Sequence, residues 1–488
     1  MSACSSDVSN PPPLNSGTPS SGDADFTTFV SIGDSLTAGY ADGSLYLLGQ
    51  QNSFPLMLAQ QFAAADGVAA SFEQPLLAHD LLLGTDGNLG GLLVGATPGL
   101  IENRFVLNTE TEAPERLEGA PTNDVIGTGL NGMTFNNMGV PGAKSFHLGA
   151  PGYGNPANLP AAANPYFIRF ASVSPTATVI GDAAAQAPSF YTLWIGNNDV
   201  LGYAASGGTG ADSCNPLGGP CGSNDITDPV AFAGVYAQLV GAFTAANPAV
   251  QGVLINIADV STLPYFTTVP YNAVPLEQAD ADQLNEAYAA YNAGLAAAMG
   301  LGLIDEYEVA LRTINFVEGQ NAVLIDTINN PGDMTDLTGT AVPLSSWRHA
   351  KGNDLIVLPA AATIQAGGGT MVPLADADVL ISLEINAVNV ARKAYNATIK
   401  DTADNDPNLV FLDAAALIKQ LNDSGIDYGN GSIKADFVTG GAFSLDGIHP
   451  TARGYAVTAN EIINVINTGF NANVHKVDPA TYPTVFLK

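Results

Sequence analysis

The sequence predicts an α/β fold, in the form of a three-layer α/β/α sandwich around a mostly parallel sheet with large loop insertions. Two observations predict it. Short, almost continuously apolar runs recur along the chain, and Ala-rich stretches with a helical period lie between and after them. Parallel strands have this uninterrupted apolar pattern because helices cover both of their faces. Strands that alternate with helices indicate a layered fold with a parallel sheet.

The apolar runs predict strands in the order "FTTFVSI", "SFYTLWI", "GVLINIA" and "LVFLDA". The helical stretches are "FPLMLAQQFAAA" after the first strand, "DPVAFAGVYAQLVGAFTAA" before the third and "ARGYAVTANEIINVIN" near the end. No run of 18 apolar residues occurs, so the sequence predicts no transmembrane helix.

A polar leader precedes the predicted sheet. Residues 1–25 contain "NPPPLNSGTPSSGDAD", which is too polar and too rich in proline to pack, so we expect a disordered linker. Order is expected to begin at Phe26. The main folded domain is predicted to span residues 26–470, and residues 471–488 are predicted to form a C-terminal tail.

Long insertions interrupt the alternation of strands and helices. They are predicted at about residues 76–132, 203–228 and 262–378. The last insertion carries the helical stretch "LEQADADQLNEAYAAYNAGLAAAMG". The sequence leaves open whether this insertion is a lid or a small subdomain.

The charge balance excludes some partners. The chain has 15 Lys and Arg against 46 Asp and Glu, a net charge of −31. Such a field repels phosphate backbones and anionic lipid headgroups, so we expect no nucleic-acid partner. The acidic surface itself indicates solubility or adaptation to a salty exterior.

The three cysteines indicate a compartment outside the cytoplasm. Cys214 and Cys221 bracket the Gly/Pro-rich loop "CNPLGGPC", which can bring two Cα atoms within disulfide range. We predict a disulfide here and an oxidising compartment; two free thiols are the alternative. Cys4 in "MSACSSDVSN" resembles the remnant of a bacterial lipoprotein signal, and would then be the only membrane anchor. A leftover thiol in a disordered leader is the other interpretation.

Ser35 is the candidate nucleophile. In "FVSIGDSLTAGYADG" it follows a predicted strand and precedes a helix, which places its Oγ at the carboxyl edge of the sheet, where open α/β folds bind ligands. Its N–H at a helix start suits a developing oxyanion. Thr37 stands where the nucleophile elbow G-x-S-x-G needs its second glycine, so an ordinary α/β-hydrolase is disfavoured.

His449 is the candidate base among five histidines. In "FSLDGIHPTARGY" Asp446 precedes it by three residues, so the carboxylate can reach the imidazole Nδ1–H, fix the tautomer and support the charged ring. Pro450 and Thr451 then open a terminal helix. The other four histidines, His79, His147, His349 and His475, we interpret as surface or satisfied residues.

Two further positions are candidate oxyanion donors. In "TFNNMGVPGAKS" Gly139 has no side chain to block a ligand from its N–H. In "TLWIGNNDV" Asn198 follows a strong strand and carries an amide that can donate. Each is also compatible with a simple turn role. With Ser35, they complete a set of three donors.

These residues give the chain a resemblance to the SGNH/GDSL hydrolase superfamily, whose four blocks occur here in the family's order. The blocks are Gly33-Asp34-Ser35-Leu36, Asn137-Met138-Gly139 with Gly142 following, Gly196-Asn197-Asn198-Asp199, and Asp446-Gly447-Ile448-His449-Pro450. The resemblance implies a flavodoxin-like fold, a triad of Ser35, Asp446 and His449, and an oxyanion hole of Ser35, Gly139 and Asn198. It covers about 200 to 250 residues. The insertions depart from the family's compact domain and affect the substrate rather than the reaction.

The resemblance implies an ester hydrolase that needs neither metal nor organic cofactor. We expect an esterase or lipase acting on a small-molecule, lipid or polymer ester, a monomer, in the cell envelope or outside the cell. The alternatives are a carbohydrate O-acetyl esterase, which exposed Trp and Tyr at the site would favour, and a surface lipoprotein that binds without turnover.

Overall fold

The computed structural model describes residues 14–66, 71–77, 87–94, 97–119, 129–327 and 344–488. Cys4 and His79 lie outside these residues. The chain forms two compact units. Unit 1 comprises the described parts of Met1–Asn198, Phe232–Ala258 and Ala394–Lys488, and unit 2 those of Asp199–Ala231 and Asp259–Lys393. The insertions predicted at 203–228 and 262–378 both lie in unit 2.

The strands, in chain order, are β1 (Phe29–Gly33), β2 (Gly90–Val94), β3 (Thr97–Asn103), β4 (Phe105–Asn108), β5 (Ala113–Arg116), β6 (Asn137–Gly139), β7 (Phe190–Trp194), β8 (Gln251–Ile255), β9 (Val274–Leu276), β10 (Gly319–Asn321), β11 (Leu324–Asp326), β12 (Trp347–His349), β13 (Leu355–Ile356), β14 (Val379–Leu380), β15 (Leu409–Leu412), β16 (Ile426–Asp427) and β17 (Ser432–Ile433).

The α-helices are α1 (Ser35–Ala38), α2 (Leu47–Gln51), α3 (Phe54–Asp66), α4 (Pro165–Ile168), α5 (Val179–Ala184), α6 (Asn198–Ala205), α7 (Pro229–Ala246), α8 (Pro264–Thr267), α9 (Gln278–Gly300), α10 (Glu306–Arg312), α11 (Ala360–Gln365), α12 (Ser382–Asp404), α13 (Ala414–Asp423) and α14 (Ala452–Gly469).

Unit 1 is built on a five-stranded, all-parallel sheet in the order β15-β8-β7-β1-β6. The predicted α/β class is therefore confirmed, and the four predicted apolar runs are β1, β7, β8 and β15. The remaining strand, β6, has three residues and forms one edge of the sheet. The carboxyl ends of β6, β1 and β7 meet at one edge, which is where their following loops bring polar side chains together.

Helices cover both faces of this sheet. On one face, Phe190 and Trp194 pack with α3 and α14 in a cluster of buried apolar side chains. On the other, Tyr191 stacks on Phe243 of α7 with ring centroids 4.3 Å apart. Successive residues of a strand point to opposite faces, so continuous burial of β7 requires both layers.

Helix α7 is long and apolar enough to cross a membrane by length and composition. Its residues Phe232, Tyr236 and Phe243 are nevertheless completely buried in the protein. Phe232 stacks on Tyr395 with ring centroids 4.1 Å apart. These contacts are those of a core helix.

Unit 2 has its own core around α9, where Leu284, Tyr288, Phe316 and Leu324 are buried together. Short antiparallel pairs, β9 with β10, β11 with β12 and β13 with β14, complete it. The predicted disulfide between Cys214 and Cys221 is present, with Cα atoms 5.8 Å apart.

The prediction of a disordered linker is wrong for residues 14–25. Ser20 forms an antiparallel bridge with Asn473, and the Asp23 N–H donates to the Phe470 carbonyl at 2.7 Å. The Asn15 amide donates to the Lys476 carbonyl at 2.9 Å. This polar segment is held mainly by hydrogen bonds, a mode of ordering that its composition does not reveal.

Candidate active site

Ser35 is the first residue of α1, and one residue, Asp34, separates it from the end of β1. Asp34 caps this short helix, because its Oδ1 accepts the Leu36 N–H at 3.0 Å. The Asp34 carboxylate is completely buried and also accepts from the Asn197 amide at 2.9 Å. As the first residue of a helix, Ser35 has an N–H without an intrahelical partner. The sequence therefore presents both a hydroxyl and an N–H at the sheet edge.

Asp446 and His449 lie on a closed loop, Phe443–Pro450, which we call the catalytic loop. Phe443 and Pro450 form an antiparallel bridge at its base, and the Ser444 N–H donates to the His449 carbonyl at 2.8 Å. Gly447 has a φ of +71°, in the left-handed region that favours glycine. The Asp-Gly-Ile-His spacing thus produces a tight turn that carries acid and base together.

The three predicted triad residues form one chain of hydrogen bonds. Ser35 Oγ lies 2.8 Å from His449 Nε2, and His449 Nδ1 lies 2.9 Å from Asp446 Oδ2. The carboxylate accepts the proton on Nδ1, so Nε2 is left to accept the serine proton. Ser35 is 8% exposed, and the side chains of His449 and Asp446 are 12% and 11% exposed.

Asp446 is held as an anion. Its Oδ1 accepts the N–H groups of Ile448 and His449 at 2.9 and 2.8 Å, and its Oδ2 also accepts the Gly43 N–H at 2.8 Å. Burial raises the pKa of the Asp446 carboxyl, but the charge and hydrogen bonds of His449 outweigh it and lower the pKa to about 2. The carboxylate is therefore ready to stabilise an imidazolium at any ordinary pH.

Tyr40 covers the base. Its ring centroid lies 4.6 Å from that of His449, and its carbonyl accepts the Tyr455 hydroxyl at 2.7 Å. Burial raises the pKa of the Tyr40 phenol well above its ordinary value, so the ring beside the imidazole stays neutral.

Asn198 begins α6 after β7 and lies half-buried. One of its amide protons is donated to the Ala143 carbonyl at 3.0 Å. An amide nitrogen carries two protons, so one remains for a ligand. Gly196 before it has a φ of +118°, and a Cβ there would lie 2.6 Å from Ile257, which explains the glycine.

The structure contradicts the prediction that Gly139 donates to an oxyanion. Directly after β6, the Val140 N–H donates to the Gly33 carbonyl of β1 at 3.0 Å. Neighbouring N–H groups of a strand point to opposite sides, so the Gly139 N–H points away from β1 and donates to Asn137 Oδ1 at 3.0 Å. The glycine is needed for packing, since a Cβ at this position would lie 2.3 Å from the Ala38 nitrogen.

The glycine that follows, Gly142, has the geometry that Gly139 lacks. The Ala143 N–H donates to the Val140 carbonyl at 3.1 Å, which closes a turn with Pro141 and Gly142 at its centre. Gly142 has a φ of +78°, as a type II turn requires at this position. It is exposed, and among the residues that the structure describes its N–H has no acceptor.

Three described histidines outside the triad have other environments. His147 stacks on Tyr153 at 4.8 Å and its Nδ1 accepts the Lys144 N–H; burial and the charge of Lys144 lower its pKa to about 4. Both ring nitrogens of His349 contact backbone groups. The Nε2 of His475 is buried without a partner in the described chain. We find no second nucleophile–base pair among these.

Neither tryptophan forms a free platform for a sugar ring. Trp194 is buried in β7 and donates its indole N–H to the Asn256 carbonyl at 3.1 Å. Trp347 packs against Tyr288 and Tyr291 inside unit 2. In the described ranges, no group of three or more His, Cys, Asp or Glu side chains could hold a metal ion.

Comparisons of the chain with protein-family models, with curated proteins and with solved structures gave no match.

Sequence reasoning missed the contacts that residues 40–43 make with the triad. Gly43 donates to Asp446, and Tyr40 packs on His449. The signal was present in "GYADGS", because Asp-Gly is the strongest short-range sign of a tight turn. What this turn contacts is decided by tertiary structure, about 400 residues away in the chain.

Proposed function

We propose that this protein is a serine carboxylic-ester hydrolase of the SGNH/GDSL type. The observation that carries the proposal is the unbroken chain from Ser35 Oγ through both nitrogens of His449 to Asp446. A serine within hydrogen-bond distance of a base, with that base oriented by a buried carboxylate, is the arrangement that activates a hydroxyl for acyl transfer.

In the first half of the reaction, Ser35 Oγ attacks the ester carbonyl carbon while His449 Nε2 takes the hydroxyl proton. The resulting tetrahedral anion collapses, the C–O bond to the alcohol breaks, and His449 returns its proton to the departing alkoxide. Asp446 stabilises the transient imidazolium throughout. The product of this half is an alcohol and an acyl group on Ser35.

In the second half, His449 takes a proton from water, whose oxygen attacks the acyl carbon. The second tetrahedral anion expels Ser35 Oγ, which takes the proton back from His449. A carboxylic acid leaves and the enzyme is restored.

We assign the oxyanion donors to the N–H of Ser35, the N–H of Gly142 and the amide of Asn198. Gly142 replaces Gly139 in this role, because its N–H is exposed and has no described acceptor. The bond from Asn198 to Ala143 holds the amide beside the Gly142 turn, so the two donors are presented by one local structure.

The proposal also covers the fold type of unit 1 and the cellular location of the protein. We infer a three-layer, flavodoxin-like SGNH core for unit 1, with helices on both faces of the parallel sheet. The disulfide fits an oxidising compartment and hence the cell envelope or the exterior. The contacts of both tryptophans favour an esterase or lipase over a carbohydrate O-acetyl esterase.

The test is hydrolysis of p-nitrophenyl acetate, butyrate, octanoate and palmitate, with acetylated xylan in parallel. Ser35→Ala should lower kcat/KM by about 10⁴-fold or more, because the nucleophile is lost. Ser189→Ala, which changes a serine at the other end of β7, is the matched control and should keep full activity. Activity confined to the glycan would transfer the assignment to a deacetylase.

A fluorophosphonate probe tests the site even if none of these esters is the natural substrate. Ser35 Oγ should displace fluoride from phosphorus and form a Ser35 phosphonate ester, with the proton passing to His449. Peptide mass spectrometry should find the adduct on Ser35 and not in Ser35→Ala. Absence of labelling, together with absence of ester hydrolysis, would disprove the proposed function and revive a binding role.

A further inference from the structure

Residues 41–44 form a two-residue hairpin turn beside the triad. The Ala41 and Ser44 backbones exchange both hydrogen bonds, at 3.2 and 3.0 Å. Asp42 and Gly43, at its centre, have φ values of +52° and +70°. Positive φ at both central positions is the feature of a type I′ turn, for which Asp-Gly is a favoured pair.

The tip of this turn is bonded to the catalytic loop at three successive residues. The Asp42 N–H donates to Ser444 Oγ at 2.9 Å, and Asp42 Oδ1 accepts the Leu445 N–H at 3.0 Å. The Gly43 N–H donates to Asp446 Oδ2 at 2.8 Å. This oxygen is also the one that accepts the proton of His449 Nδ1.

Burial and two hydrogen bonds fix the orientation of the Asp42 carboxylate. The residue is 1% exposed, and its Oδ2 accepts the Tyr46 hydroxyl at 2.7 Å. With Oδ1 bonded to Leu445, both oxygens have a donor. A buried carboxylate whose two oxygens each accept from a fixed donor is held in one orientation. Asp42 therefore fixes the distance between the turn and the catalytic loop.

From these contacts we propose that Asp42 is a positioning residue for the reaction: it docks the Asp42–Gly43 turn on Leu445 so that the Gly43 N–H and Asp446 together align His449. The inference rests on the proposed function. Asp42 does not touch the reacting atoms, and it acts through the two residues that orient the base.

The decisive variants are Asp42→Gly and Asp42→Asn. Glycine accepts a positive φ, so Asp42→Gly keeps the turn and removes only the hydrogen bonds of the carboxylate to Leu445 and Tyr46. Asparagine also accepts this conformation, and its amide can accept from Leu445 and donate to the Tyr46 hydroxyl, so Asp42→Asn keeps both bonds without charge. The control is Asp182→Ala, which removes a carboxylate that accepts the Ser172 N–H at 2.9 Å. It shows what the loss of such a hydrogen bond does elsewhere in the protein.

We expect Asp42→Gly to lower kcat about 10- to 100-fold with KM changed less than about threefold, since small misplacement of a catalytic group costs about this much. Asp42→Asn should stay within about threefold of the parent. The downfield proton resonance of His449 Nδ1–H should weaken or shift in Asp42→Gly alone. Asp182→Ala should change neither kcat nor this resonance.

Two outcomes would overturn the inference: a normal kcat and an unchanged His449 resonance in Asp42→Gly, or an equal loss in Asp42→Asn. If Asp42→Gly does not fold, Ser444→Ala removes one tie and should give a smaller loss of kcat and the same kind of shift. Because the resonance reports geometry without turnover, it tests this inference even if the protein hydrolyses no ester. Activity that survives Ser35→Ala would disprove the proposed function instead.

Discussion

Asp446 in unit 1 and Glu384 in unit 2 are both buried carboxyl groups, and their surroundings act on them in opposite directions. Asp446 accepts four hydrogen bonds, one of them from a base that can carry positive charge. Glu384 is 7% exposed and accepts the Ile381 N–H at 2.7 Å, but Asp376, Asp212 and Asp354 lie near it. Burial and these acidic neighbours raise the pKa of Glu384 to about 8, while the pKa of Asp446 is lowered to about 2.

The difference shows that burial alone does not decide whether a carboxyl group is charged. In both sites desolvation raises the pKa, and the partners decide the outcome. The charge and hydrogen bonds of His449 lower the pKa of Asp446, whereas the acidic neighbours of Glu384 add to the effect of its burial. The comparison therefore predicts opposite pH behaviour for the two groups.

The largest expected effect comes from Asp446→Asn. An amide N–H facing Nδ1 of His449 would force the proton onto Nε2, which could no longer accept from Ser35, so kcat should fall about 10⁴-fold at pH 7. Because the pKa of Asp446 is lowered, its stabilising contribution is present above about pH 4 and is lost as the pH falls towards about 2. Asp446→Asn should therefore be about 2 kcal/mol less stable than the parent at pH 5.

Steady-state kinetics and urea unfolding at pH 5 measure the two consequences. Asp427→Asn, an exposed carboxylate of the same unit, is the control and should change neither. Retention of kcat in Asp446→Asn would show that this carboxylate does not set the tautomer of His449.

The oxyanion of the proposed reaction is a buried negative charge, and it should depend on N–H donors as Asp446 does. Asn198→Ala removes one donor, so kcat should fall about 10²–10³-fold. Asn198→Asp keeps the shape but presents a negative charge, so it should be at least as poor. Both variants should still react with a fluorophosphonate at Ser35, more slowly, because the triad is intact. A normal kcat in Asn198→Ala would remove this residue from the oxyanion hole.

Glu384→Gln should change the stability of the protein in the opposite direction to Asp446→Asn. A raised pKa means that stability is full below about pH 4.5 and is lost as the pH rises through about 8. The neutral amide avoids that loss, so Glu384→Gln should gain about 4 kcal/mol at pH 9 and nothing at pH 4, which the Tm measured at both pH values tests. Glu286→Gln, on the exposed side of α9, removes the same charge and should not reproduce the gain.

The strands that could be predicted from sequence are those in which almost every residue is apolar, because both of their faces are buried. β1, β7, β8 and β15 carry that signal in their own residues. β6 does not, because it has three residues, one of them Asn137, and it becomes a strand only by pairing with β1. Likewise, unit 2 could not be predicted as a compact unit, since its two segments are separated in the chain and only contacts in the folded protein bring them together.

The triad was predictable because its chemistry is local to two short segments. Asp446 and His449 are three residues apart, and Ser35 sits at a strand end. The choice between Gly139 and Gly142 was not predictable in the same way. The register with β1 turns the Gly139 N–H away from β1, whereas Gly142 lies in the turn after β6, and the presence of glycine alone does not reveal this difference.

Asp42→Asn gives the smallest expected effect, because it should hardly change kcat. It tests a carboxyl group whose pKa lies between those of Asp446 and Glu384. Burial raises the pKa of Asp42 to about 6, against hydrogen bonds from Leu445 and Tyr46; Asp446 raises it further and Arg104 lowers it. Stability linked to this group is present below about pH 4 and lost as the pH rises through about 6. Asp42→Asn should therefore be more stable than the parent by about 3 kcal/mol at pH 7.5 and close to it at pH 4. Urea unfolding at both pH values measures this, and a less stable variant at pH 7.5 would show that the ionised carboxylate is favourably held, as that of Asp446 is.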